Sequence, residues 1–419
     1  MKSVQKMKGA SWILFSLLIA ATLVTAGQSV VLAQSGFAGS ILIGDLSQRS
    51  GVGGGQALTE STSRGVEVAI REINESGGVK IDGDTYELAY KAIDSRSEPA
   101  ATVSAARQLI GDGAVAAVLP SFATEVAYRA LSESSVIAFG AVPRATQPLH
   151  SDGPERHPLL FGTVELAAPV IAGWLGGIIQ QYPEVKRVAV LNLTDPTGRF
   201  MDAAVQAAAE RFGLEYVGAQ FVDPATTDFS TALTNLKSNN PDVIYLGTGA
   251  QILAATRQAI QLEAAPILWN YTMRPVDLRH VGLLGKATIV MADFRAPFTE
   301  GLTPPEFQEA AAKFGQLRGG EPVQVGIAAA YYDFVHLLAQ AIEKAGSTDD
   351  TTAIAAALRE SSYDGPFGRS RILPNQTQSG PIGLVYADAS QITINVYPDT
   401  ASTTEEPLST FSTQNTWSR

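Results

Sequence analysis

Residues 112–149 constrain the fold more than any other segment of the chain. Short, continuous apolar runs at 114–119 and 136–139 predict two strands, because strands buried on both faces of a parallel sheet show no polar alternation. Residues 125–134, between the two runs, predict a helix. A strand–helix–strand unit of this kind brings the turn after the first strand and the loop at 140–147 to one edge of the sheet. Open α/β sheets bind their ligands at this edge, outside the carboxyl ends of the strands.

The turn after the first of these strands contains Ser121, next to the predicted start of the helix. Small hydroxyls and free backbone N–H groups at a helix N-terminus suit a carboxylate or another anionic group. The segment has no nucleophile with an adjacent base, so it predicts ligand capture rather than catalysis. The alternative is that Ser121 only caps the helix.

The same alternation of apolar strands and helices occurs in two series. The first series starts with a strand at 41–46, and the second runs from a helix at 167–182 to a strand at 267–269. Two such series predict two doubly wound α/β lobes side by side. Residues 399–419 are rich in Ser, Thr and Glu and predict a disordered tail.

The N-terminal residues 1–33 have the three parts of a secretory signal peptide. Three lysines precede an apolar run at 10–26, and small residues follow it. We expect cleavage after Ala33, with Ala26 as a second candidate, and therefore export to the periplasm. An uncleaved membrane anchor is the alternative, because the apolar run is close to the minimum of about 17 residues that span a bilayer.

The charge and the cysteine count exclude several classes of partner. The formal net charge is −11 and no basic tract is present, which argues against nucleic acid or an anionic membrane surface as a partner. The predicted leader contains no acidic residue, so the mature chain is more acidic still. The absence of cysteine excludes disulfides, thiolate metal sites and the lipid attachment of a lipoprotein.

Motifs for metal, nucleotide or hydrolytic chemistry are missing. The four histidines are scattered and lack short-spaced pairs, so we expect neither a metal site nor a cofactor. The glycine run at 51–55 lacks the spacing of a phosphate-binding loop and predicts a flexible loop over the mouth of a cleft. No G-x-S-x-G elbow is present, which argues against a hydrolase.

Four motifs in a specific order resemble those of a known family. They are the helix end at 68–79, the Asp-to-Pro turn at 94–99, the segment 227–246 that begins Thr-Asp-Phe-Ser, and Gly-Pro-Phe-Gly at 365–368. Together they resemble the periplasmic leucine/isoleucine/valine-binding proteins, the solute receptors of branched-chain amino-acid-type ABC importers. The resemblance covers roughly residues 40–396.

The resemblance implies the type I periplasmic binding protein fold. In that fold, two doubly wound, Rossmann-like α/β lobes are joined by a three-strand hinge and close on a ligand. We expect residues 40–161 plus about 296–367 in the first lobe. Residues 162–295 plus about 368–398 are expected in the second.

The resemblance also implies residues that hold the carboxylate of the ligand. Ser121 stands at one family position, and Ala141, Val142 and Arg144 stand in the next loop. The family often has threonine where this chain has Arg144. A guanidinium there is able to bind a carboxylate with two parallel hydrogen bonds.

The chain departs from the family on the amino side of the ligand. The tyrosine expected at 195–198 is missing, a second tyrosine of the family is replaced around 247–249, and no acid stands at 268–271 to pair with an ammonium group. A buried ammonium needs a partner, so either Asp195 or Glu165 supplies the charge, or the ligand has no ammonium. In the second case it is a small carboxylate, an aromatic acid or an amide. Further candidate contacts are Asp195, Asn270, Tyr271 and, in the first lobe, Phe122.

These inferences predict a monomeric extracytoplasmic solute-binding protein that is not an enzyme. It would capture a small amino-acid-like or carboxylate ligand between two lobes and deliver it to an ABC permease in the inner membrane. The alternative is a ligand-binding sensory protein that acts in trans on a chemoreceptor or a sensor kinase.

Overall fold

The computed structural model describes residues 36–50, 56–96, 98–120, 123–142, 154–165, 168–270, 286–294, 309, 312–314, 325–380, 382–388, 392–397 and 415–418. All of these except Gly36 belong to one compact unit, Phe37–Arg419. The predicted signal peptide lies outside the described residues.

A six-stranded sheet is built from the N-terminal part of the chain. Its strands are β1 (Gly39–Asp45), β2 (Val79–Ile81), β3 (Asp84–Ala92), β4 (Ala114–Val118), β5 (Ile137–Val142) and β6 (Leu160–Glu165). They lie in the order β2-β3-β1-β4-β5-β6, and only β2 pairs antiparallel to its neighbour. Every residue of β4 is buried, which explains its unbroken apolar sequence.

Helices cover both faces of this first sheet. They are α1 (Gln56–Glu75), α2 (Pro99–Gly111) and α3 (Thr124–Ser132). Alternate residues of β4 point to different cores: Ala117 packs with Leu109 and Leu131 under α2 and α3, whereas Val118 belongs to the core that includes Val66 of α1. This arrangement is the doubly wound α/β architecture that the sequence predicted.

A second sheet is built mostly from the central part of the chain. Its parallel strands are β7 (Arg187–Leu193), β8 (Glu215–Val222), β9 (Val243–Gly247), β10 (Ile267–Asn270) and β11 (Thr288–Phe294). The helices are α4 (Ala168–Gln181), α5 (Pro196–Arg211), α6 (Ser230–Lys237) and α7 (Ile252–Gln261). Trp174 of α4, Met201 of α5 and Trp269 share one core, while α6 and α7 cover the other face.

The chain then returns to the first sheet. Helix α8 (Val325–Ala345) packs along α1, and α9 (Thr351–Arg359) follows it. Phe334 of α8 stacks on Phe139 of β5, with ring centroids 4.5 Å apart. Among the described residues, α8 is the one helix with the length and composition of a membrane span, but it is a core helix whose residues are mostly buried.

A small antiparallel sheet follows α9. It contains β12 (Ser362–Gly365), β13 (Gly368–Ile372) and β14 (Gln378–Ser379). The second sheet is completed by β15 (Ile382–Ala387), β16 (Ile392–Tyr397) and β17 (Asn415–Ser418), which gives the order β17-β16-β15-β11-β10-β9-β7-β8.

The chain crosses between the two sheets three times, as expected for a hinge of three strands. It crosses from β6 to α4, from β11 to α8 and from β14 to β15. Phe294 at the end of β11 pairs with Ile382 at the start of β15, and Gly162 of β6 forms a parallel bridge with Thr377, next to β14. The crossings are therefore tied together by strand pairing.

These contacts also bear on the lobe boundaries. The sequence assigned residues from about 368 onward to the second lobe, but β13 contacts α8 and α9, and β14 contacts β6. We propose that the last boundary between the first and the second lobe lies near residue 380. The structure also differs from the expected tail: Asn415–Ser418 pairs antiparallel with β16, while 398–414 lies outside the described residues.

Candidate functional site

The candidate site lies at the carboxyl edges of the two sheets. β6 leaves the first sheet at its carboxyl end, and β11 leaves the second sheet at its carboxyl end. The parallel strands of one sheet all end at the same edge. In each sheet, the carboxyl edge is therefore the edge at which the chain leaves for the other sheet. Open α/β sheets bind ligands at these edges.

In the first sheet, the predicted turn and loop are neighbours. β4 and β5 pair from Ala116–Ile137 to Val118–Phe139, and Leu119 N donates to Phe139 O at 2.7 Å. The strand ends that precede Ser121 and Arg144 therefore lie side by side. Ser121, Phe122 and Arg144 themselves lie outside the described residues, and Ala141 and Val142 are the last residues of β5.

The N-terminus of α3 opens onto this edge. Ala123 at the N-cap has a left-handed φ of 55° and has no side-chain group that accepts a hydrogen bond. The hydroxyl of Thr124 donates backward to Pro120 O at 2.7 Å and fixes the turn. The first N–H groups of a helix carry partial positive charge, so this turn suits an anionic group of a ligand.

In the second sheet, the predicted residues have distinct roles. Asp195 is the N-cap of α5, and its Oδ1 accepts from Gly198 N at 2.7 Å, so this carboxylate caps the helix. Asn270 ends β10, pairs with Met291 and is completely buried. Tyr271 lies outside the described residues.

Sequence reasoning did not identify as ligand contacts a set of buried polar side chains at these edges and, for Gln378, in β14 beside β6. Each is at most 4% exposed, and at least one of its polar atoms has no hydrogen-bond partner in the described part of the chain: Ser95, Thr163, Asn192, Thr248 and Gln378. A buried polar group without a partner costs about 1–3 kcal/mol, so each one requires an explanation. Ser95, Thr163, Asn192 and Thr248 lie at or just beyond the carboxyl ends of β3, β6, β7 and β9, where α/β proteins bind ligands, so their polar groups are candidates for ligand contacts.

A buried ionic network anchors the loop after β1. Asp45 is completely buried and accepts from Ser47 N at 2.6 Å, from Ser63 Oγ at 3.0 Å and from Arg49 Nη2 at 3.2 Å. The hydroxyl of Tyr90 also donates to Asp45. Burial and the charge of Asp45 raise the pKa of Tyr90, so the phenol keeps this proton. The segment that leads to the glycine run at 51–55 is thus tied to the sheet.

Asp94 fixes the same loop from the end of β3. Its carboxylate accepts from Arg49 N at 2.8 Å, Ser50 N at 3.2 Å, Ser50 Oγ at 2.5 Å and Arg96 N at 2.9 Å. Burial raises the pKa of Asp94, but these hydrogen bonds outweigh it and lower the pKa to about 2. The Asp-to-Pro motif at 94–99 therefore positions the loop after β1.

A family model described as periplasmic binding protein matches residues 40–391. The chain belongs to this family. The predictions of a branched-chain amino-acid-type periplasmic binding protein and of its fold are confirmed. Members of this kind are solute-binding proteins, and no catalytic family is indicated.

Several periplasmic binding proteins are similar in sequence. A Leu/Ile/Val-binding protein homologue from Brucella melitensis is 28% identical over 312 residues, which are 73% of this chain and 79% of the relative. The Leu/Ile/Val-binding protein of Escherichia coli K12 is 24% identical over 320 residues, which are 73% of this chain and 79% of that protein.

Solved structures share the fold at lower identity. The closed conformation of a leucine-, isoleucine-, valine-, threonine- and alanine-binding protein from Brucella ovis has a TM-score of 0.68 and 17% identity, with coverage of 84% of this chain and 90% of that chain. A solute-binding protein from R. palustris in complex with 4-hydroxybenzoate has a TM-score of 0.62 and 20% identity, with coverage of 86% and 98%.

Proposed function

We propose that this protein is the periplasmic solute-binding protein of an ABC importer for a small organic carboxylate. The single observation that supports this most is the set of buried polar atoms at the carboxyl ends of β3, β6, β7 and β9 that have no hydrogen-bond partner among the described residues. A pre-shaped site with a few placed polar groups is the usual form of a small-molecule site. The bound ligand would then be delivered to a permease in the inner membrane.

The carboxylate end of the ligand would bind at the first sheet. The uncapped start of α3 offers backbone N–H groups there, and Ser121, Ala141, Val142 and Arg144 belong to the adjoining turn and loop. Contacts from the second sheet to the other end of the ligand would favour the closed arrangement of the lobes. Binding is coupled to closure because the ligand contacts both lobes in the closed state and only one lobe in the open state.

The relatives support a carboxylate without fixing the rest of the ligand. The Brucella melitensis homologue is named for leucine, isoleucine and valine, whereas the R. palustris structure contains 4-hydroxybenzoate. An amino acid and an aromatic acid share the carboxylate and differ at the other end. We therefore assign this chain to the carboxylate class.

Thermal unfolding of the exported protein against a ligand panel tests this function. The panel contains aliphatic and aromatic amino acids, benzoates, and aliphatic mono- and dicarboxylates, each beside its primary amide. At about 100 times Kd, a ligand adds about 2.7 kcal/mol to the free energy of unfolding. We expect a rise in Tm with at least one carboxylate and none with the amide that replaces the same carboxylate.

Paired serine variants localise the binding. Ser121→Ala should weaken the affinity for the active carboxylate, whereas Ser134→Ala, at an exposed position beyond the other end of α3, should not. No response to any carboxylate, or equal affinity in both variants, would contradict the proposal. The mass of the same exported protein tests the expected cleavage after Ala33.

A further inference from the structure

We propose that the second sheet binds a hydrogen-bond-accepting oxygen of the ligand through Asn192 and Thr248, not an ammonium group. The ligand class is then a carboxylate with a second oxygen acceptor, such as an oxo, carboxylate or carboxamide oxygen. This inference rests on the proposed function and describes the other end of the same ligand.

The side chain of Asn192 is held rigidly at the end of β7. It stands opposite Gly247 of β9, where an added Cβ would lie 2.5 Å from Asn192 Oδ1 and 2.7 Å from Nδ2. The amide of Asn192 therefore occupies the space beside the Cα atom of Gly247, which the Cβ atom of any other residue would need. A larger residue at position 247 would displace it.

The polarity of this amide is fixed as well. Asn192 Oδ1 accepts from Leu193 N at 2.9 Å, which assigns the oxygen and leaves the NH2 group as the group for a further bond. The side chain is 2% exposed, and Nδ2 has no partner among the described residues. A carboxamide NH2 only donates, so the matching ligand atom is an acceptor.

Thr248, directly after the neighbouring strand β9, adds a second buried polar group, a hydroxyl that is able to donate a hydrogen bond. It follows Gly247 directly, is 1% exposed, and its Oγ1 has no partner within the described part of the chain. Its backbone carbonyl accepts from Gln251 N at 3.1 Å, which holds the residue in place. Asn192 is the penultimate residue of β7 and Thr248 directly follows β9, so both groups lie at the carboxyl edge of adjacent parallel strands.

The charges at this edge agree with an acceptor ligand. Two described carboxylates near this edge accept from backbone N–H groups: Asp195 accepts from Gly198 N and caps the N-terminus of α5, and Asp223, directly after β8, accepts from Ala225 N. The helix end contributes partial positive charge that offsets the carboxylate of Asp195. An ammonium group would bring three more donors to a place where Nδ2 of Asn192 already donates to none of the described residues.

Matched ligands test the polarity of the site. Each of three sets keeps one carboxylate and one carbon skeleton, and varies the second group among oxygen acceptor, ammonium and none. In that order of second group, the first set is glutarate, 5-aminopentanoate and pentanoate. The second set is 4-methyl-2-oxopentanoate, leucine and 4-methylpentanoate. The third set is terephthalate, 4-(aminomethyl)benzoate and 4-methylbenzoate. In any set that binds, we expect the acceptor member to bind about 10-fold or more tightly than the ammonium member, because the acceptor pairs with the NH2 group of Asn192 and the ammonium group leaves that donor buried without an acceptor.

Two isosteric variants identify the residues. Asn192→Asp keeps the oxygen that accepts from Leu193 N but replaces the donor by a carboxylate, so it should reverse the preference toward the ammonium member. Thr248→Val should weaken the acceptor member while the Tm of the ligand-free protein stays the same or rises. Thr256→Val is the control, because the Thr256 hydroxyl is buried and donates to Ile252 O at 2.7 Å; it should lower Tm and leave affinity unchanged.

The outcomes separate this inference from the proposed function. Failure of every carboxylate, in the three sets and in the broader panel, overturns the function itself. Binding in which the ammonium member is preferred, or in which Asn192→Asp leaves the preference unchanged, overturns the inference and leaves the function standing.

Discussion

The imidazole of His336 stacks on the ring of Tyr363, with centroids 4.5 Å apart and an interplanar angle of 1°. The ring of Tyr332 lies 4.5 Å from the same imidazole, and its hydroxyl donates to Glu72 of α1 at 2.6 Å. Burial lowers the pKa of His336 to about 4; the charge of Glu72 opposes this shift and that of Lys313 adds to it. The contact between α1, α8 and β12 therefore contains a neutral histidine.

We expect the free energy of unfolding to fall as the pH decreases from about 6.5 to about 4. The imidazole binds a proton near its ordinary pKa in the unfolded protein, but only near pH 4 in the folded protein. The contribution of the neutral His336 to the free energy of unfolding is therefore complete above pH 6.5 and is lost progressively between pH 6.5 and pH 4. The loss at pH 4.5 should be about 2 kcal/mol. His336→Phe keeps an aromatic ring without the proton, and urea unfolding at pH 7 and 4.5 should show a smaller loss for it. Equal losses in both proteins would exclude His336 as the cause.

The fold was predictable because it depends on patterns that are local in the sequence. Unbroken apolar runs such as β4 indicate strands buried on both faces, and their alternation with helices indicates two doubly wound sheets. The strand β17 was missed, since a short strand at a sheet edge depends on pairing with a distant strand, here β16, and not on its own composition.

The candidate site was predictable only in part. The sequence placed the loops after β4 and β5 at one edge, because their order along the chain determines it. It did not show Asn192 as a site residue, because a small polar residue at a strand end has the composition of a turn. The register with Gly247, which buries the amide so that its NH2 group has no partner among the described residues, is visible only in three dimensions.

Gly65 permits a close approach of α1 to α8. A Cβ on this residue would lie 2.1 Å from Ala328 O, a backbone atom that cannot move without its helix. We expect Gly65→Ala to lower the free energy of unfolding by about 3 kcal/mol. Gly111→Ala is the matched control at the last residue of α2, where nothing lies within 4 Å; it should raise stability by about 0.5 kcal/mol. A similar urea midpoint for the two variants would contradict this packing.

Asp94 holds the loop after β1 through backbone amides, so its removal should release that loop. In Asp94→Ala, we expect hydrogen exchange at Arg49 and Ser50 to rise by about 10-fold or more, since each lost hydrogen bond to a charged group is worth at least that factor. Asp112→Ala removes only a surface ion pair with Lys91 and should leave these amides unchanged. Because hydrogen bonds lower the pKa of Asp94 to about 2, protection in the unmodified protein should persist down to about pH 4 and weaken below it.

Thr163 and Gln378 lie on neighbouring strands at the hinge. They follow Gly162 and Thr377, which form the parallel bridge between β6 and the residue before β14. Residues one step beyond such a pair share a face, so the two side chains are adjacent. Both are buried, and within the described residues neither Thr163 Oγ1 nor the amide of Gln378 has a hydrogen-bond partner.

Replacing a buried hydroxyl should have opposite effects at two positions. Thr163→Val should raise the free energy of unfolding of the ligand-free protein by about 1 kcal/mol, because it removes a polar group that burial leaves without a partner. Thr102→Val should lower it by about 1 kcal/mol, because the Thr102 hydroxyl donates to Glu98 O at 2.8 Å. Both changes keep the shape of the side chain, so packing contributes little to the difference. A decrease in both variants, measured by urea unfolding, would show that the hydroxyl of Thr163 forms a hydrogen bond in the ligand-free protein.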